Sequence, residues 1–245
     1  MPRLTPAQAI YYPDPELTPS SPVKRAKGMR IGVFGGTFDP VHLGHLILAE
    51  QCREQGRLDE VWFIPSWQPP HKQDQSITPF HHRVEMLGLA VAGHAAFRIN
   101  EIEKDHGGLS YTVDTLRELK RRHAEADLQL IIGSDCLPDL PKWREPGQIV
   151  TMAGLLVAAR PSWDLWSLER LRETLQLPPD APVQMQVVAV PLIDTASRDL
   201  RRRAAEGRSL RYLVPRAVEC YIAAHRLYQG VEAAKPPAGR LAEEE

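Results

Sequence analysis

The sequence predicts an α/β domain: a parallel sheet wound with helices on both faces. Three observations predict it. Short apolar runs alternate along the chain with helical patterns. The runs are apolar almost throughout rather than at every second residue, which is the composition of strands buried on both faces. Each run also passes directly into glycines, prolines, histidines, tryptophans or arginines. In such sheets a ligand sits beyond the carboxyl ends of the strands, where the strand order reverses.

The elements follow in order. Arg30 to Phe34 (RIGVF) is the first expected strand, and a helix is expected from Gly44 through Glu54. Val61 to Ile64 (VWFI) is the second strand, with Trp62 assigned to the core. Phe80 to Val91 reads as a helix, because Val84, Leu87 and Val91 share a face. A short strand is expected at Phe97 to Ile99. Ser110 to His123 is helical, with Val113, Leu116 and Leu119 at helical spacing. Leu128 to Ile132 is a strand ending at Gly133, and Leu155 to Ala159 is another, ending at Arg160-Pro161. Val187 to Val190 is the last expected strand. Helices at Ser197 to Glu206 and Pro215 to His225 complete the body. Trp163 and Trp166 receive no assignment.

The 245 residues divide into an arm, a body and a tail. Residues 1–28 hold Pro2, Pro6, Pro13, Pro15, Pro19 and Pro22 and the basic run KRAK, without apolar periodicity, and are expected to be a disordered arm. Residues 229–245 contain Pro236-Pro237 and end in three glutamates, and are expected to be a disordered acidic tail. The folded body is expected over 29–228. A formal net charge of -1 removes the bulk electrostatic argument for nucleic acid or an anionic membrane. No apolar run approaches transmembrane length, and the N-terminus has no apolar region of a signal peptide. Cys52, Cys136 and Cys220 are far apart with no CxxC pair, which argues against a disulfide framework or a thiolate zinc site and fits a reducing, cytoplasmic setting.

The stretch VFGGTFDPVHLGH, residues 33 to 45, carries the chemistry. Gly35 and Gly36 permit positive φ and a close approach of ligand to bare backbone. Pro40 pushes Asp39 out of the helical region, so the helix starts later, near His42 to His45, and Gly44 keeps that first turn open. His42 and His45, three apart, share a face there. Two imidazoles beside the free amides of a helix start make a phosphate site that can be cationic near neutral pH. The stretch matches neither G-x-G-x-x-G nor G-x-x-x-x-G-K-[ST] nor H-E-x-x-H. A metal site would need ligands that sequence alone does not place, so no metal-ligating residue is assigned.

With its HxGH from His42 to His45, this stretch resembles the signature of the nucleotidyltransferase superfamily, and most closely that of the bacterial nicotinate-nucleotide adenylyltransferases. PPHK (Pro69 to Lys72), RVEML (Arg83 to Leu87), SYTVDTL (Ser110 to Leu116), IIGSD (Ile131 to Asp135), Trp143 and ARP (Ala159 to Pro161) occur in the family's order and span nearly the whole body. The resemblance implies a Rossmann-like nucleotidyltransferase fold with a small C-terminal helical part. It implies adenylyl transfer from ATP to nicotinate mononucleotide, giving nicotinate adenine dinucleotide and pyrophosphate in NAD biosynthesis, with Mg²⁺ carried on the ATP phosphates. Nicotinamide mononucleotide or phosphopantetheine as acceptor, and a non-catalytic nucleotide-binding module, are the alternatives.

The resemblance also implies roles. His42 and His45 contact the triphosphate and stabilise the transition state. Thr37 and Phe38 add backbone amides near the phosphates, beside Gly35, Gly36 and Gly44. Lys72 lies near the phosphates, and Arg160 lies beside the adenine pocket. The segment IDTASRDLRRR occupies the place of the family's ISSTxIR motif. There Ser197, as a helix N-cap, offers hydroxyl and amides to the β- and γ-phosphates, and Arg198 and Arg201 add charge. Ala196 and Arg198 depart from the family's Ser and Thr. The mononucleotide falls to Tyr111, Thr112, Asp114, Gly133, Asp135 and Trp143. Trp143 stacks on the pyridine ring and Thr112 meets its carboxylate. Asp114 and Asp135 serve ribose hydroxyls or helix starts, since they would repel that carboxylate.

Overall fold

The computed structural model describes residues 28–70, 76–160 and 163–229. The expected arm and tail lie outside these residues, apart from their inner ends. Six strands form one sheet in the order β3-β2-β1-β4-β5-β6, and every neighbouring pair is parallel. They are β1 (Arg30–Gly36), β2 (Glu60–Pro65), β3 (Phe97–Ile99), β4 (Asp127–Gly133), β5 (Gly154–Ala158) and β6 (Met185–Val188). The chain winds outward from β1 to β3, returns to pair β4 with β1 at Val33–Leu130, and winds outward again. The order therefore reverses between β1 and β4, the point at which sheets of this kind form a ligand crevice beyond the strands' carboxyl ends.

The helices are α1 (Leu43–Gln55), α2 (Phe80–Val91), α3 (Ile102–His106), α4 (Thr112–Arg122), α5 (Pro146–Met152), α6 (Leu168–Thr174), α7 (Ser197–Ala205) and α8 (Arg216–Ala224), with a 3-10 helix at Ser134–Lys142. Alternation along the strands sorts the core into two layers. Ile31, Val33, Leu130, Ile132, Leu155 and Val157 pack against Val113, Leu116 and Leu119 of α4 and Ile149 and Val150 of α5. Phe34, Val61, Phe63, Ile131 and Leu156 face Leu48 and Ala49 of α1, Met86 and Leu87 of α2, and Val218 and Ile222 of α8. Each fully buried side chain of this size contributes about 1.5–3 kcal/mol. Among the described residues no helix is long and apolar enough to cross a membrane.

Two sequence expectations need correction. The last strand is Met185–Val188, two residues before the expected Val187 to Val190. Register with β5 decides this: Leu155 pairs with Met185 and Ala158 with Val188. Val187 is consequently left exposed on the edge strand. Four helical segments, α3, the 3-10 helix, α5 and α6, were not expected at all. Each spans nine residues or fewer, too short to establish an apolar period. Trp62 lies in the core as expected, with its Nε1 donating to Glu60 Oε2 at 2.7 Å. Trp166 is also buried, under the guanidinium of Arg170, while Trp163 is exposed.

Candidate active site

The β1–α1 connection lies at the crevice. Its positive φ falls on Phe38, at 49°, and not on Gly35 or Gly36, which complete β1. A left-handed non-glycine residue costs about 1–2 kcal/mol. Burial of the Phe38 ring offsets that cost: it packs edge-on against Phe34 and His45, with centroids 5.5 and 5.1 Å away. A Cβ on Gly36 would come within 2.9 Å of this ring, so Gly36 is needed for space rather than for φ. A Cβ on Gly35 would meet nothing within 4 Å, so the strand end there is open to a ligand.

His42 is the N-cap of α1. Its backbone N–H donates to His45 Nδ1 at 3.2 Å, and the two rings stack with centroids 3.7 Å apart. A neutral His45 that accepts at Nδ1 carries its proton on Nε2. A Cβ on Gly44 would sit 3.0 Å from His42 Nδ1, so the bare glycine makes room for that ring. The expectation of a cationic pair fails at His42. Only 6% exposed, it has its pKa pushed down to about 4, first by burial and then by the charge of Arg160. It is a neutral imidazole at neutral pH, and its buried Nδ1 has no hydrogen-bond partner among the described residues.

Across the crevice, Gly133 ends β4 and Arg160 follows β5. Arg160 Nε and Asp135 Oδ1 form an ion pair at 3.2 Å. A Cβ on Gly133 would stand 2.2 Å from that carboxylate oxygen and 2.8 Å from Arg160 Nε, so the pair occupies the space the glycine leaves. The buried Ser134 Oγ accepts from the Arg160 amide at 2.9 Å and ties the two strand ends together. Sequence reasoning passed over Ser134 because a serine gives no periodic or charge signal.

The C-terminal segment approaches from the other side. Ser197 is the first residue of α7 and not its cap, which is Ala196. Its hydroxyl donates to the Pro40 carbonyl at 2.9 Å, so it binds the loop rather than standing open as a cap. Arg201 Nη1 donates to the Asp39 carbonyl at 2.7 Å. Arg198 is exposed and has no hydrogen bond or ion pair among the described residues. Lys72 lies outside the described residues.

The remaining assigned residues gather around the start of α4. Tyr111 caps the helix and Thr112 is its first residue. The ladder begins with the Asp114 and Thr115 amides bonding to the Tyr111 carbonyl, so the amides of Thr112 and Val113 precede it. Tyr111 and Trp143 are half-buried at the edge of the first core layer. Arg144 lies over the Tyr111 ring at 4.9 Å. Asp114 is committed to Arg117 and Arg144, at 3.1 and 3.2 Å. A cavity of about 440 Å³, lined by Glu103, Ser110, Tyr111, Asp114, Thr115 and Arg117 among others, opens beside them. Among the described residues no group of three histidines, cysteines or carboxylates could hold a metal ion.

Residues 33–203 match the family model described as cytidylyltransferase-like. A protein of Thermomicrobium roseum is 47% identical over 207 residues, covering 84% of this chain and 95% of its own. One of Thermus thermophilus is 43% identical over 201 residues, covering 82% of this chain and 100% of its own. Both are named "probable nicotinate-nucleotide adenylyltransferase". The solved nicotinic acid mononucleotide adenylyltransferase of Plasmodium falciparum, complexed with NaAD, shares the fold at a TM-score of 0.67 and 19% identity, covering 82% of this chain and 97% of its own. The chain therefore belongs to the cytidylyltransferase-like family, among the nicotinate-nucleotide adenylyltransferases.

Proposed function

We propose that the chain transfers the adenylyl group of ATP to nicotinate mononucleotide, giving nicotinate adenine dinucleotide and pyrophosphate. The observation that carries this reading is the stacked His42–His45 pair at the start of α1, beside the β1–β4 reversal, in a chain of this family. The attacking phosphate monoester is largely dianionic at neutral pH, with its second pKa at ~6. It needs no general base, so the work is alignment and charge stabilisation.

His45 suits that work. With Nδ1 accepting from the His42 amide, the proton of a neutral His45 sits on Nε2, the form suited to donate to phosphate oxygens. His42 enters neutral, and its unpartnered Nδ1 gives a second polar atom at the same place. Anionic phosphate brought beside His42 opposes the effect of Arg160 and raises its pKa, favouring its proton as negative charge accumulates. The open edge of Gly35, the amides of Thr37 and Phe38 and the first turn of α7 complete the phosphate environment, with Arg160, Arg198 and Arg201 supplying cations. Lys72 is assigned to the same phosphates. Mg²⁺ is assigned to the triphosphate and enters with ATP as part of the substrate, where it offsets phosphate charge.

On the acceptor side, the Thr112 and Val113 amides at a helix start suit the nicotinate carboxylate, and Trp143 suits the pyridine ring. Asp135 is assigned to ribose hydroxyls and, with Gly133 and Arg160, marks the boundary between the two nucleotides. Asp114 is assigned to the helix start. A cytoplasmic setting is supported by three free cysteines. The test is pyrophosphate release from Mg·ATP with nicotinate mononucleotide, nicotinamide mononucleotide and phosphopantetheine in parallel. The nicotinate acceptor is expected to react fastest. A preference for either other acceptor refutes the assignment.

A further inference from the structure

Behind the phosphate loop lies a buried ionic network that the chemistry above does not use. Arg83 of α2 is 1% exposed, Asp39 2% and Tyr228 6%. A buried guanidinium is costly unless its donors and its charge are both met. Here Nη1 donates to the Thr37 carbonyl and Nε to the Thr78 carbonyl, each at 2.9 Å. Burial pulls the Arg83 pKa down, and Asp39, Tyr228 and Glu103 oppose that shift.

Asp39 is held on every side. Oδ1 accepts from the Tyr228 hydroxyl at 2.8 Å and Oδ2 from the Thr78 amide at 3.2 Å. Its carbonyl takes the Arg201 bond. Burial and the neighbouring Asp39 carboxylate drive the Tyr228 phenol far above its ordinary pKa, so it remains a donor. Both ends of the run Thr37–Asp39 are thereby fastened. Between them sits Phe38, with its left-handed backbone and its ring against His45. Without restraint, a turn in that conformation would relax.

We propose that Arg83 and Tyr228 are positioning residues: through Thr37 and Asp39 they lock the strained turn that aims His42 and His45 at the phosphates. Both are buried, and neither is assigned to substrate. Glu103 extends the same network toward the acceptor side, accepting from the Thr115 hydroxyl at 2.9 Å and the Trp67 amide at 3.3 Å. The inference rests on the adenylyltransferase reading.

The test uses the full chain and three variants. Tyr228→Phe removes one oxygen, Arg83→Lys keeps the charge but cannot reproduce the forked bonds, and Tyr221→Phe serves as control. The control loses a phenol that meets His82 Nδ1 at 2.9 Å and makes no bond to Thr37 or Asp39 among the described residues. Thermal melting, kcat and both KM values are measured well below the melting transition. Tyr228→Phe and Arg83→Lys are expected to lower kcat ~10-fold or more, with KM for nicotinate mononucleotide within about twofold. Tyr221→Phe is expected to keep wild-type kcat. Combined with His45→Ala, Tyr228→Phe is expected to add little, because a misaimed imidazole and an absent one lose the same contact. Variants that melt earlier yet turn over at the wild-type kcat, or effects that simply add in the double variant, overturn the inference. A wild-type chain that releases no pyrophosphate with nicotinate mononucleotide overturns the functional reading instead, and the inference with it.

Discussion

The two sides of the crevice are built differently. The β1–α1 loop is held from behind by Arg83 and Tyr228, buried groups from two distant parts of the chain, acting on its own Thr37 and buried Asp39. The start of α4 is held by surface ion pairs: Asp114 with Arg117 and Arg144, and Arg117 with Glu145. Exposed pairs of that kind contribute little and are screened by salt. Gly107 and Gly108, both at positive φ, precede this helix. On the proposed assignment of the two sides, the difference separates two tasks. Aligning a triphosphate for in-line attack demands a turn that does not relax, and the fold supplies it from its core. Choosing an acceptor demands contacts that loops and surface pairs can supply.

The contrast can be broken first on its rigid side. His45→Ala is expected to lower kcat at least ~100-fold with the fold intact, as befits loss of a transition-state contact. Steady-state pyrophosphate release alongside circular dichroism checks it, and near-normal turnover would remove His45 from the chemistry. A second effect comes from His42. Its folded pKa of about 4 lies below the ordinary 6.5, so between those values the unfolded chain binds a proton that the folded one refuses. Stability is therefore full above about pH 6.5 and falls by ~3 kcal/mol as pH drops toward 4. Denaturant midpoints at pH 7.5 and pH 5 measure the slope, and His42→Asn should flatten it; an unchanged slope in that variant assigns the effect elsewhere.

The acceptor side should yield in KM instead. Trp143→Ala is expected to raise KM for nicotinate mononucleotide by ~10-fold, the loss of roughly one aromatic contact, while KM for Mg·ATP stays put. Equal rises in both would show that Trp143 supports the core rather than the ring. Smallest of all, Arg117→Ala should leave stability close to that of the wild type in physiological salt. A larger loss in a urea titration would mean that the surface pairs brace this side after all.

Legibility followed chemistry and sequence distance. The strands β1, β2, β4 and β5 were plain, because a fully buried strand must be apolar throughout. The HxGH pair was plain too, because its glycines and histidines lie within one short segment. Ser134, Glu103, Arg83 and Tyr228 were not read as site support. A serine, an arginine or a tyrosine looks alike in a sequence whether it is solvated or buried, and Tyr228 reaches Asp39 across 189 residues of chain. Ser197 reads in the sequence as a helix cap, and its bond to Pro40, 157 residues away, is not legible there.

The sequence by itself determined the α/β class and the placement of the candidate site's residues after successive strands, because each is written in local composition and short spacing. Only the tertiary structure decided the β6 register, the positive φ on Phe38, the neutral state of His42 and the buried clamp behind the loop. These depend on which groups are brought together out of water. Burial and long-range pairing, not the identity of a residue, set the cost of a charge or of a strained turn.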